Sequence, residues 1–240
     1  MTDKKLEPIV EYYDNGKIKR AYSVDEKGNK QGPSEEYHDN GQLDIKCTYK
    51  DGEYDGPYEE YYNNGQLKVK CTFKDGEFDG PYEQYYDNGQ LMQKCTYKDG
   101  KYDGPYEAYY SNGQLDIKCT YKDGEYDGPY EAYYPNGQLY KKCIYKDGEY
   151  DGPYEAYHDN GQLGGKGVYR MGERLDGKEV EEYLKEWNEK RIPAQEARKG
   201  LCARLAQMNK QMAPTQLRQA VKRAEVAKFR AKFPNKKDGR

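Results

Sequence analysis

Gly-Pro-Tyr-Glu-Ala-Tyr-Tyr-Ser-Asn-Gly-Gln-Leu-Asp-Ile-Lys-Cys-Thr-Tyr-Lys-Asp-Gly, residues Gly104 to Gly124, is one copy of a unit that recurs every 24 residues. Cys47, Cys71, Cys95, Cys119 and Cys143 mark the step. So do the Asn-Gly pairs beginning at Asn40, Asn64, Asn88, Asn112, Asn136 and Asn160, while Asn15-Gly16 opens the series one residue out of phase. A fixed period this short defines a stacked array, in which each unit buries its apolar side against its neighbours.

In the copy that begins at Pro57, a Tyr-rich run (Pro57 to Tyr62) and an alternating run (Leu67 to Phe73) flank Asn64-Gly65. Asn-Gly between two such runs predicts a hairpin with a two-residue type I′ turn, which needs positive φ at both central residues. That turn sets Tyr62 against Leu67, Glu60 against Val69 and Tyr58 against Cys71 on one apolar side, which Phe73 continues. On the other side Tyr61 faces Lys68 and Glu59 faces Lys70. The same register recurs as Glu35/Lys46, Glu83/Lys94, Glu107/Lys118, Glu131/Lys142 and Glu155/Lys166. Opposite charges across a ladder stabilise it by roughly 0.2–1 kcal/mol each and penalise register slips. Six identical copies make these carboxylates structural rather than catalytic.

The second connection, Lys74-Asp75-Gly76-Glu77-Phe78-Asp79-Gly80, reads as a longer glycine-punctuated loop leading into the next Gly-Pro-Tyr strand. The fold class is therefore mainly β. It is an extended antiparallel meander of about seven hairpins, growing roughly 9.6 Å per unit, followed by a small helical C-terminal segment.

Tyr-Tyr-x-Asn-Gly-x-Leu, then Tyr-Lys-Asp-Gly, then Asp-Gly-Pro-Tyr-Glu, resembles the MORN repeat in its bacterial variant. The resemblance covers about Ile9 to Gly177. Proteins of that variant are commonly grouped as YwqK-type antitoxins, so it implies a non-enzymatic protein that neutralises a cognate toxin. MORN arrays elsewhere serve as protein scaffolds, dimerisation platforms and proposed lipid binders.

Leu, Ile, Val and Phe make up only 29 of the 240 residues, too few for a thick core. The 29 tyrosines compensate, since each buries a ring and keeps a hydroxyl wet. The net charge of −3 is unevenly spread, with −11 over residues 1–174 and +8 over 175–240. The period breaks at the same place, which divides the chain into an array, 1–177, and a basic helical tail, 178–240. Val180, Tyr183, Leu184 and Trp187 are spaced for one helix face, and this first helix is the expected cap on the open sheet edge. Pro193 and Thr215 begin the second and third expected helices. Nothing at the start of the sequence reads as a signal peptide, and no apolar run is long enough to cross a bilayer, so the expected compartment is the cytoplasm.

The five repeat cysteines sit two strands apart, beyond disulfide reach, and their spacing fits no zinc motif; they read as reduced, packed thiols. His38 and His158 stand where other copies have Tyr62, Tyr86, Tyr110 and Tyr134, and read as aromatic substitutes. Asp51-Gly52-Glu53-Tyr54-Asp55-Gly56 echoes a calcium loop, but its twelfth position is Tyr62 where a bidentate Glu belongs, so turn chemistry explains it better. No catalytic site, metal, cofactor or small-molecule substrate is expected. The candidate partner surface is the row Tyr37, Tyr61, Tyr85, Tyr109, Tyr133 and Tyr157, with the varied neighbours Lys68, Met92, Asp116 and Tyr140 beside it. Its expected occupant is another protein, and self-association is a second option. The alternative is a polyanion, either nucleic acid or anionic lipid. Residues 190–240 carry 15 basic against 3 acidic side chains, with Arg218, Lys222, Arg223, Lys228, Arg230 and Lys232 as candidate contacts.

Overall fold

The structure, a computed structural model, describes residues 6–189. The chain divides into two compact units, Met1–Val180 and Glu181–Arg240. Among the described residues the first unit holds 19 strands in one antiparallel sheet. Seven hairpins follow one another, from Glu7–Tyr12 with Ile18–Val24 to Gly152–Tyr157 with Leu163–Arg170. Each unit pairs with the next, as at Lys70↔Glu83 and Lys94↔Glu107, so the meander is continuous. Residues 178–189 are helical, with Tyr183 buried. The expected second and third helices lie outside the described residues.

The two glycine turns are the reverse of the expectation. Asn64 lacks a positive φ, and Gly65 alone carries +80°. Tyr62 N–H donates to Gln66 O and Gly65 N–H donates to Tyr62 O, both at 2.8 Å. That is a three-residue loop, a type I turn closed by a left-handed glycine, and it brings a bulge with it. Asn64 is held there by two bonds: its Oδ1 accepts from Gln66 N at 2.9 Å, and its Nδ2 donates to Asp87 O of the following copy at 3.1 Å. The two-residue type I′ turn falls instead at Asp75-Gly76, with φ of +48° and +82° and Lys74 paired to Glu77. What reads as a long loop is this tight turn plus the short strand Glu77–Phe78. A second irregularity follows, where Asp79 N–H donates to Thr72 O at 2.9 Å and Gly80 takes φ +111°.

Positive φ at Asp75 gives a direct test. Asp75→Asn should leave stability within a few tenths of a kcal/mol, whereas Asp75→Val should cost about 1–2 kcal/mol, because a β-branched side chain clashes in the left-handed region. Urea unfolding of the two variants distinguishes this turn from a flexible loop, which would tolerate both.

The core is one residue thick. Cys47, Cys71, Cys95, Cys119 and Cys143 lie in a buried row, as free thiols. Beside them runs a stack of eleven rings: Tyr49, Tyr54, Phe73, Phe78, Tyr97, Tyr102, Tyr121, Tyr126, Tyr145, Tyr150 and Tyr169. Successive centroids are 4.5–5.3 Å apart. Tyr58, Tyr82, Tyr106, Tyr130 and Tyr154 meet this stack edge-on. Tyrosine thus replaces the missing aliphatic core, because each pair of rings contributes about 0.5–1.5 kcal/mol beyond its buried area. The tight Asp-Gly turn is what brings Tyr54 and Phe78 into the stack.

Candidate protein-interaction face

Alternate residues of each first strand point to opposite sides of the sheet. On one side, the hydroxyls of Tyr37, Tyr61, Tyr85, Tyr109, Tyr133 and Tyr157 donate to the glutamate two residues earlier, at 2.5–2.9 Å. This lays each ring back along its own strand. At the edge strand Val10 stands in place of the glutamate, and Tyr12 is 62% exposed. The glutamates pair across with lysine in the expected register, as in Glu59–Lys70 at 3.1 Å. Glu107 lies between Lys94 at 2.8 Å and Lys118 at 3.2 Å. Lys94, the Tyr109 hydroxyl and Lys118 hold its carboxyl down at about 2.

The varied residues do not join this row. The bulge places Tyr61 opposite Leu67 and leaves Lys68 as the extra residue. Lys68 Nζ meets Glu60 at 2.6 Å and lies 5.7 Å from the Tyr62 ring centroid. The same holds along the array. Asp44 meets His38 at 3.5 Å, the Asp116 carboxylate adds to burial in pushing the Tyr110 hydroxyl up to about 12, and the Tyr140 ring packs 5.1 Å from that of Tyr134. Met92 occupies the matching bulge position between Leu91 and Gln93. The structure therefore separates the residues that the sequence groups together. The Tyr61-type row lies on the face of the Glu–Lys ladder, and the varied positions lie beside the Tyr62-type rings on the cysteine face.

More of the variation collects there. Gln93 accepts from the Tyr106 hydroxyl at 3.0 Å, Ile117 packs on the Cys119–Tyr130–Ala132–Cys143 cluster, and Lys141 Nζ sits 4.5 Å from the Tyr130 ring centroid. Tyr140 is 46% exposed. A bulge parity read from the three-residue turn would have found this face, but Asn-Gly and Asp-Gly look alike in a one-dimensional pattern.

The Tyr62-type rings also clamp the array. Tyr62, Tyr86, Tyr110 and Tyr134 donate through their hydroxyls to backbone carbonyls of the next copy at 2.7–3.0 Å. His38 fills the same role as an aromatic substitute, with Nε2 3.1 Å from Tyr61 O. The acids of the Asp-Gly loops are likewise engaged: Asp55 accepts from Asp75 N at 3.5 Å and pairs with Lys50 at 3.8 Å. The tail residues Arg218, Lys222, Arg223, Lys228, Arg230 and Lys232 lie outside the described residues. Among the described residues no helix is long and apolar enough to cross a membrane.

Fold and faces together define a β-meander repeat protein, built from stapled hairpins. The repeats fit the MORN repeat variant, which matches residues 30–51, 54–75, 78–99, 102–123 and 126–147. Among curated proteins, none matches this chain.

Proposed function

We propose that this protein is a non-enzymatic interaction scaffold that recognises another protein through the cysteine face, beside the Tyr62-type rings. One observation carries the reading. Along that face the positions of Asp44, Lys68, Met92, Asp116 and Tyr140 differ in charge, size and polarity from copy to copy, on a backbone that does not change. A rigid frame that presents different side chains at a regular step suits recognition of one irregular surface, and exposed tyrosine supplies contact area at low entropic cost. The most concrete partner is a cognate toxin, as the antitoxin resemblance implies. Five buried, unbridged thiols favour the reducing cytoplasm as the setting.

The test combines Lys68→Glu, Asp116→Lys and Tyr140→Ala in the full chain. The parent should co-purify with the product of a neighbouring gene and suppress its toxicity, and the triple variant should bind at least about tenfold more weakly. Undiminished binding and rescue by the triple variant would reject the face. A second reading rests on the +12 charge of residues 190–240, which favours a polyanion held by the tail. In that case binding falls steeply with salt and disappears in a chain ending at Gly177.

A further inference from the structure

The side-chain staples of the Asn-Gly turns run in one direction. Each asparagine Nδ2 donates to a backbone carbonyl of the following copy, from Asn15, which reaches Asp39 O, to Asn136, which reaches Asp159 O, at 2.9–3.3 Å. The donor always lies in the earlier copy, so the last copy has no acceptor ahead of it. Among the described residues Asn160 Nδ2 has no hydrogen-bond partner. Nor does the ring of His158, which stands where Tyr134 donates to Tyr157 O. Two other restraints are common to all seven turns. The glycine N–H donates to the carbonyl three residues back at 2.8–2.9 Å, and the asparagine Oδ1 accepts from the N–H two residues on at 2.8–3.0 Å. The last hairpin is also thinner. Gly167 lies opposite Tyr154 where the five preceding hairpins have a buried cysteine, and Leu163 is 51% exposed.

An asparagine followed by glycine is chemically labile, because the next backbone nitrogen can attack the side-chain carbonyl carbon and glycine has no side chain to obstruct the approach. We propose that Asn160 is the site of spontaneous deamidation in this protein, and that the staples protect the other six Asn-Gly pairs. The Gly161 nitrogen gives up its proton to solvent base and attacks Asn160 Cγ. The Cγ–Nδ2 bond breaks, ammonia leaves with that proton, and a five-membered succinimide remains. Water opens the ring at either carbonyl, giving aspartate or isoaspartate. One water enters, one ammonia departs, and nothing is oxidised or reduced. Attack needs the nitrogen and Cγ in line and close together, which the closed turn withholds. Gly161 N–H is aimed at His158 O at 2.9 Å, and Asn160 Oδ1 is held on Gln162 N at 3.0 Å. Opening this turn breaks those two bonds. At each of the other six a third must break, and with it a staple to the next copy. The end unit of a stacked array is held by a preceding copy only, so it opens most readily. The product carries a new negative charge beside Asp159, and isoaspartate adds a main-chain methylene inside the turn. Asp159 O, the acceptor of the Asn136 staple, lies in that same turn. Asn136 is therefore second in order, and the change moves through the array from its last copy towards its first.

The experiment incubates the full chain at neutral pH and physiological temperature, folded in buffer and unfolded in guanidinium chloride. Peptide mass spectrometry follows the amide-to-acid change at the seven Asn-Gly pairs, and circular dichroism confirms the folded state throughout. In the folded chain Asn160 should convert at least about fivefold faster than any of the other six, the effect of one missing hydrogen bond. In guanidinium chloride the seven should convert at similar rates. Electron-transfer fragmentation of intact folded chains then gives the order. Among the Asn-Gly pairs, singly converted chains should carry the change at Asn160, and doubly converted chains at Asn160 and Asn136. A folded chain in which Asn160 converts no faster than Asn64, or does not convert while the unfolded chain does, overturns the proposal. So do singly converted chains changed at another of the seven pairs. An Asn160 lead of the same size in guanidinium chloride also overturns it, because the cause would then be local sequence and not the missing staple. The measurement needs no partner, so its outcome is independent of recognition at the cysteine face.

Discussion

Replacing Tyr121 by alanine is expected to destabilise the array by about 3 kcal/mol, at the lower end for aromatic-to-alanine changes because the ring is half-buried. Tyr121 lies in mid-stack, 4.9 Å from the Tyr102 ring centroid and 4.6 Å from that of Tyr126, with Tyr106 edge-on at 5.5 Å. Removing it interrupts the ring stack between the units on either side. In a quasi-one-dimensional fold each unit contacts only its neighbours, so a broken junction uncouples the two halves. Urea unfolding followed by circular dichroism should turn from one transition into two. Tyr121→Phe keeps the ring and should cost about 1 kcal/mol or less, the worth of the hydroxyl's contacts. An alanine variant within 1 kcal/mol of the parent, still unfolding in one step, would show that the stack is not what couples the units.

The second large effect is alkaline unfolding. Burial pushes the Cys71, Cys95 and Cys119 thiols up to about 12, and Cys47 and Cys143 up to about 11. Tyr82 and Tyr106 rise to about 12, again first by burial, and Tyr97, Tyr121 and Tyr145 rise in the same direction. In the unfolded chain thiols lose their protons near pH 8.5 and phenols near pH 10. Above those values the unfolded state binds fewer protons than the folded one, so stability falls as pH rises. The contribution is fully present below about pH 8 and is lost between roughly pH 8.5 and 12. Loss of sheet signal and the rise of tyrosinate absorbance should coincide inside that window. At pH 8 the same burial should slow labelling of the five repeat cysteines at least about a hundredfold relative to the unfolded chain, because only the thiolate reacts. Labelling at unfolded-state rates would show that the row is open to solvent.

Much of this was legible in the residues. The 24-residue step, the hairpins, the Glu–Lys register and the cysteine row follow from period and alternation, because a strand pattern repeated so often admits few consistent pairings. His38 was also legible, since only an aromatic with a polar tip can replace the Tyr62-type clamp. The grouping of the candidate surface was not. Four of its ten residues, Lys68, Met92, Asp116 and Tyr140, fall on the other side from the tyrosine row, because a bulge at Lys68 shifts parity by one and a period-of-two pattern cannot register an unpaired residue. Tyr54 and Phe78 were hidden for a related reason: they flank a turn, and only its tightness puts their rings in the stack.

What the amino-acid sequence determined by itself was a stacked array of tyrosine-rich hairpins with a charge ladder in register. What only the tertiary structure decided was the choice between its two glycine turns. Both Asn64-Gly65 and Asp75-Gly76 can adopt positive φ. Asn64 stays out of that region, with its Oδ1 accepting from Gln66 N and its Nδ2 tying the turn to Asp87 O of the next copy, whereas Asp75 enters it. The three-residue turn brings the bulge, and the bulge sends the varied residues to the cysteine face.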